Sequence, residues 1–262
     1  MTDFQFLTIT REGHIATVTL NRPAQLNALN VELMSEIEQA ALSFREDEQS
    51  RVVVFRGAGP HFSAGADLKA PPAPKTNLVM SRRRAGLGAR MLRAILEIDQ
   101  VTICGVQGAA LGGGACIPTA CDFRIATEDS FFGYPEVNLG INLMWVGLPL
   151  CVRLVGPARA KRMIMLGERF PAGTLMDWGF VDQVVPTAEL DKAVSDMATA
   201  YAGQPPVAVQ MIKQSVNAVA NALDRAVMHM DTDQNLLTTM TEDRAEGIRA
   251  FLEKRDPAFR GN

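Results

Sequence analysis

Two glycine-rich turns, a glutamate and a cysteine are the residues of this chain with types and spacing suited to chemistry. The turns are Gly57-Ala-Gly-Pro-His-Phe-Ser-Ala-Gly-Ala-Asp67 and Gly108-Ala-Ala-Leu-Gly-Gly-Gly114, each following a segment that reads as a strand. Glycine lacks Cβ, so backbone N–H groups there can approach a ligand closely or the chain can take a positive φ. Either turn alone serves equally well as an ordinary connection. Neither is a nucleotide-phosphate motif: there is no GxxxxGK[ST], and Phe62 stands where a dinucleotide loop needs its third glycine. Glu136, just beyond Pro135, reads by itself as a solvated charge. Cys116 lies two residues after Gly114 with no histidine nearby in sequence, which favours a small pocket-lining thiol over a nucleophile. His61 reads as a loop residue rather than a base.

Taken together and in order, five motifs resemble the crotonase (enoyl-CoA hydratase/isomerase) superfamily. They are Asn21-Arg-Pro-Ala-Gln-Leu-Asn-Ala-Leu29, Phe62-Ser-Ala-Gly-Ala-Asp-Leu-Lys69, Ala110-Leu-Gly-Gly-Gly114, Phe132-Gly-Tyr-Pro-Glu136 and Glu246-Gly-Ile-Arg-Ala-Phe-Leu-Glu-Lys254, so the resemblance spans nearly the whole chain. It implies that the N–H groups of Ala66 and Gly113 form an oxyanion hole for a thioester oxygen, where enolate charge develops during proton transfer. It implies that Glu136 is the acid/base, a task that needs a pKa raised toward neutrality. Lys69, Phe251 and Lys254 match residues around the CoA nucleotide, the last two often supplied by a neighbouring subunit. No cofactor is implied, because coenzyme A is part of the acyl-CoA substrate, and no metal. The assembly implied is a homotrimer or a hexamer built from two trimers.

Two departures from the family pattern bear on the reaction. Cys116 stands where two-carboxylate hydratases carry a second glutamate, and a thiol cannot hold and deprotonate water as a carboxylate does. Gly140-Ile-Asn-Leu-Met-Trp-Val-Gly147 replaces a proline- and glycine-rich turn, with Met144 where dienoyl-CoA isomerases and an aryl-CoA dehalogenase carry aspartate. Met144 and Trp145 are candidates, with Cys116, for the acyl pocket. Enoyl-CoA hydration or a double-bond shift through Glu136 is therefore expected. The alternatives are CoA-thioester hydrolysis, C–C cleavage, or a CoA-binding assembly protein that has lost its catalysis.

The elements that must position these residues read as α/β. A hairpin over 4–20 turns at Gly13; Asn30 caps a helix through Leu33, Met34, Ile37, Ala41 and Phe44; a strand follows over 51–55. A helix over 87–98, strands over 102–106 and 123–126, and a short helix after Gly114 repeat the alternation. Helices are expected over 157–166 and 172–178, a strand over 180–185, and Thr187 as the cap of the next helix. Helices over 205–222, 224–239 and 242–254 close the chain. The proline-rich stretch 70–77 is expected to be a loop beside the site. The fold expected is the crotonase-like spiral of β-β-α units over residues 1–200, with a C-terminal helical oligomerisation domain over 201–262.

Composition fits this reading. The 262 residues are 47% hydrophobic and carry a formal charge of -3, enough apolar material for a large core and no basic surface for nucleic acid. The start of the chain, Met1 to Phe6, has no targeting pattern, and no window is long and apolar enough for a membrane span. A cytoplasmic location is expected. Cys104, Cys116, Cys121 and Cys151 form no CxxC pair, so they read as buried free thiols rather than zinc ligands or disulfides.

Overall fold

The computed structural model describes residues 4–70 and 76–262. Met1–Asp3 and most of the proline-rich stretch read as a loop, residues 71–75, lie outside the described residues.

Strands β1 (Leu7–Glu12) and β2 (Ile15–Leu20) form the antiparallel hairpin, turning at Gly13 with φ +56°. Helix α1 (Val31–Ser43) starts at Asn30, whose side chain accepts the Leu33 N–H at 2.9 Å, and buries Leu33, Ile37, Ala40 and Ala41. Strand β3 (Val52–Gly57) returns parallel to β2. Its side chains alternate: Val53 and Phe55 join the core containing α1, while Val52 and Val54 face a second core on the other side of the sheet. Helices α2 (Leu78–Ala85) and α3 (Leu87–Leu96) lead to β4 (Val101–Val106), β5 (Ala109–Leu111) and α4 (Gly113–Ala120). Then come β6 (Phe123–Thr127), β7 (Phe131–Gly133), a 3-10 turn Pro135–Leu139, α5 (Gly147–Val155), α6 (Pro157–Met165), β8 (Arg169–Pro171), α7 (Ala172–Asp177) and β9 (Gln183–Val185). Helices α8 (Leu190–Ala202), α9 (Pro206–Ala220), α10 (Asp224–Met228), α11 (Asp231–Thr239) and α12 (Glu242–Glu253) complete the chain.

The large sheet runs β1-β2-β3-β4-β6-β9, parallel after the hairpin, and the small one runs β5-β7-β8. Single bridges, Leu29 to Ala66 and Ser63 to Ala110, extend the small layer, so successive turns contribute first to one layer and then to the other. This is the expected spiral of strand-strand-helix units. Helix α8 covers the outer face of the large sheet, packing Leu190, Val194 and Ala198 on Val101, Ile103 and Ile125.

Several local expectations change. Helix α2 occupies residues that were assigned to no element, and α5 lies where no helix was read. The expected helix 224–239 divides into α10 and α11. Thr187 does not cap α8: it sits in a 3-10 turn and its hydroxyl donates to Asp129 at 3.0 Å. Among the described residues no helix is long and apolar enough to cross a membrane. All four cysteines are free and buried.

Candidate active site

Backbone pairing aims the two amides implicated by sequence. Leu29 donates to Gly65 O at 2.8 Å and Asp67 donates to Leu29 O at 3.1 Å. In a parallel bridge, pairing through the residues on either side leaves the middle residue, Ala66, with its N–H turned to the opposite side. Gly65, at φ +89°, lies so close to the second turn that a Cβ there would stand 2.5 Å from Leu111 O. A Cβ on Gly114 would stand 2.6 Å from the Ser63 hydroxyl. The glycines thus let the turns close on each other, bringing 64–66 against 111–114. Gly113 opens α4, where N–H groups have no intrahelical acceptor. Neither the Ala66 nor the Gly113 N–H has a backbone acceptor among the described residues.

The first motif braces this arrangement, a role its residue types did not disclose. Asn27, fully buried, donates to Ala58 O at 2.8 Å and His61 O at 2.9 Å while accepting from Arg22 N at 2.9 Å. Arg22 forms a 3.0 Å ion pair with Asp67, next to Ala66. His61 is structural: its Nδ1 accepts the Ala109 N–H at 3.1 Å.

Glu136 meets the same turns. Its Oε1 would lie 2.8 Å from a Cβ on Gly112, which itself has φ +53° and immediately precedes Gly113. Its Oε2 is enclosed and has no hydrogen-bond partner among the described residues. Burial pushes this carboxyl up to about 7, opposed only by a hydrogen bond with its own backbone. The 3-10 turn that carries it is held by α12: Gly247 is packed against the Leu139 backbone, and Arg244 donates to Leu139 O at 3.3 Å. Cys116 is fully buried, and its thiol is raised well above the ordinary range, first by burial and then by the charge of Glu136. A Cβ on Gly147, the first residue of α5, would lie 2.8 Å from its Sγ.

Trp145 presses directly on this centre. Its indole fills the space that side chains at Gly88 of α3 and Gly113 of α4 would need, with the six-membered edge toward Gly113. The enclosed Nε1 has no hydrogen-bond partner among the described residues. Met144 is half-buried in the same segment, and its carbonyl accepts the Gly147 N–H at 3.3 Å. Asp231, only 6% exposed, reaches this segment from α11 and accepts the Val146 N–H at 3.3 Å. Sequence reading missed Asp231, because an aspartate opening a polar helix resembles any solvated N-terminal acid.

The residues read as CoA-binding are all exposed. Lys69 is exposed three residues beyond Ala66, whereas Phe251 and Lys254 are exposed at the end of α12, with Lys254 at φ +55°. No hydrogen bond or ion pair joins Lys69 to either one among the described residues. Among the same residues, no group of three or more His, Cys, Asp or Glu is placed to hold a metal ion.

Comparison with known proteins agrees over the full length. The family model described as enoyl-CoA hydratase/isomerase matches residues 10–262. A crotonyl-CoA hydratase of Syntrophomonas wolfei is 35% identical over 260 residues, 98% of each chain. A short-chain-enoyl-CoA hydratase of Clostridium acetobutylicum is 33% identical over 246 residues, 94% of each. The crystal structure of an enoyl-CoA hydratase from Mycobacterium avium subsp. paratuberculosis superimposes with a TM-score of 0.89 at 29% identity, covering 98% of this chain and 100% of that one. With its motifs in order, its spiral in place and relatives matched from end to end, the chain belongs to the enoyl-CoA hydratase/isomerase family of the crotonase superfamily.

Proposed function

We propose that this chain acts on an enoyl-CoA and moves protons through Glu136 alone, while the N–H groups of Ala66 and Gly113 hold the thioester oxygen as it gains enolate charge. The observation that carries this is the Glu136 carboxyl, enclosed against Gly112 and raised to about 7, so that it both takes and returns a proton near neutrality. In a double-bond shift, the Glu136 carboxylate removes a proton from the α-carbon of a 3-enoyl-CoA. The C–H electron pair becomes a dienolate whose negative oxygen lies between the two amides. Glu136 then delivers that proton to the γ-carbon, leaving the double bond between the α- and β-carbons. One carboxyl completes this cycle with no net gain or loss of protons.

Cys116 favours this reaction over hydration. Its thiol is driven upward by burial and by Glu136, so it stays neutral and does not take a proton from water. Hydration is the second reading, favoured by similarity to relatives named as hydratases. In either case Lys69 is assigned to the nucleotide phosphates, joined by Phe251 and Lys254 from a neighbouring subunit. Exposed Val207, Met211, Ile212, Val216 and Val219 on α9 support assembly of the 201–262 region into a trimer or paired trimers. The test offers a 3-enoyl-CoA and a 2-enoyl-CoA in separate reactions and resolves the products by chromatography. The expected result is conversion of the 3-enoyl to the 2-enoyl thioester with much slower hydration. Fast hydration without a double-bond shift would favour the second reading, and turnover of neither would overturn both.

A further inference from the structure

The wall formed by Trp145 is held in an uncommon way. Trp145 and Val146 both have φ +63°, a region disfavoured for an aromatic and more so for a β-branched residue. Such a conformation persists only where its surroundings over-determine it. The indole has no hydrogen bond of its own to fix it, since Nε1 is without a partner among the described residues. The ring is held by packing on the main core and by the two glycines between which it is wedged, and its direction is set by the backbone below it.

The backbone anchor is Asp231. Its carboxylate accepts the Val146 N–H at 3.3 Å and is also stabilised by a hydrogen bond from the Trp145 backbone. It is nearly buried, and Arg93 acts on it only through its charge rather than through an ion-pair contact. A buried carboxylate without a contacting cation is costly to maintain, so two backbone N–H groups in a strained turn are a sufficient reason for its position. Beyond Asp231 lies a cavity of about 600 Å³, lined by Gly86, Ala89, Arg93 and Met228 as well as by Asp231 itself. Asp231 thus holds the turn on one side and borders open space on the other.

We propose that Trp145, locked over Gly113 by Asp231, closes the acyl end of the site, making the enzyme selective for short acyl groups, with Asp231 as the positioning residue for that selectivity. The inference rests on the enoyl-CoA reading above. Long acyl chains meet a rigid indole beside the Gly113 amide; when the anchor is removed, the turn relaxes and the ring leaves that position.

Binding of saturated acyl-CoA thioesters, which do not react, tests this separately from catalysis. Calorimetric titration of the wild-type protein is expected to give butyryl-CoA at least about tenfold tighter binding than dodecanoyl-CoA. Asp231→Ala and Trp145→Ala should each reduce that preference to about twofold or less. Asp231→Asn, whose amide oxygen accepts the same N–H bonds, should retain it. In a Trp178→Phe background, Trp145 is the sole remaining tryptophan, and Asp231→Ala should shift its emission to longer wavelength as the ring gains solvent. Trp145→Phe, which keeps a smaller ring and avoids a large cavity, should give an intermediate preference even if Asp231→Ala does not fold. Equal binding of the two thioesters by the wild-type protein would overturn the inference while leaving the enoyl-CoA reading intact. So would an Asp231→Ala protein with unchanged preference and emission. Failure of every acyl-CoA to bind would overturn the enoyl-CoA reading and this inference with it.

Discussion

Arg124 and Glu136 are both charged side chains set into the interior, and the protein treats them in opposite ways. The Arg124 side chain, 4% exposed, uses all five of its N–H donors: on Phe180 O, Pro118 O, Cys121 O, Asp122 O and the Asp182 carboxylate. It ties β6 to the end of α4 and to the segment before β9. Glu136 has an enclosed oxygen with no partner, and the indole nitrogen of Trp145 in the same site also has none among the described residues. Arg124, fully bonded, ties elements of the fold together; the unbonded oxygen of Glu136 stays enclosed beside Gly112.

The largest effect is expected at Glu136. Glu136→Gln should reduce turnover about 10³-fold, the scale of lost general acid–base catalysis, with CoA-thioester affinity within about twofold of wild type. The variant should also be more stable at alkaline pH. The folded carboxyl titrates near 7 and the unfolded one near 4.5, so the folded state holds its proton more tightly. Its cost to stability is absent below about pH 4.5, grows as pH rises through this window and reaches roughly 3 kcal/mol above it. Urea unfolding of both proteins at pH 5 and pH 8 measures this, and the variant should gain on wild type at the higher pH. A constant gap across the window would show that the carboxyl is not held neutral by burial.

Arg124→Met should behave in the reverse sense. Removing it takes a donor from each of four carbonyls and from Asp182, of which Pro118 O keeps the Cys121 N–H and Asp182 keeps the backbone N–H of residue 124, and the expected loss is about 3 kcal/mol of stability. Turnover per folded molecule should remain near wild type, because none of these bonds touches the glycine turns. A variant of normal stability with reduced turnover would abolish the distinction between the two interiors.

What was legible in the sequence follows the same division. The hairpin, the Asn30 cap and the two glycine turns declare themselves through local periodicity or backbone permissiveness, and in the structure Glu136 lies against Gly112 of the second turn. The small sheet was illegible because its strands are three residues each, too short to show alternation. Helix α5 was missed because the residue that precedes it, Val146, is in a left-handed conformation that no β-branched residue announces. Asp231 was missed because its role depends on a contact 85 residues away. One signal was available: Gly88 lies inside an amphipathic helix, where glycine costs about 1 kcal/mol relative to alanine, a sign that something packs on the backbone there.

A smaller effect is expected at the surface. Lys69 is exposed, and its assigned partner is a phosphate in the nucleotide half of CoA. Lys69→Ala should weaken CoA thioesters by about fivefold, on the scale of an exposed ion pair, and leave pantetheine thioesters unchanged. Added salt should shrink the difference between variant and wild type. Equal weakening of both ligands would remove Lys69 from the phosphate site.

The smallest effect is expected at Cys116, which lies inside the unbonded region yet carries no charge. Its thiol is held neutral by burial and by Glu136, so Cys116→Ala removes little more than a small apolar contact and should change the double-bond shift by no more than about twofold. The informative variant is Cys116→Glu, which supplies the carboxylate that hydration needs to hold water and take its proton. Space opposes it: the start of α5 is packed against the sulfur, and a Cβ on Gly147 would lie 2.8 Å from Sγ. Overpacking there costs about 1 to 3 kcal/mol, so stability must be measured beside activity. Two carboxyls around one substrate would also titrate as a pair, moving the pH optimum of any hydration gained away from that of the wild-type reaction. A folded Cys116→Glu protein that hydrates 2-enoyl-CoA faster than wild type would show that the missing carboxylate limits water addition. A wild-type enzyme that hydrates rapidly and is indifferent to Cys116→Ala would show that water is held by other groups, and that Glu136 does not work alone.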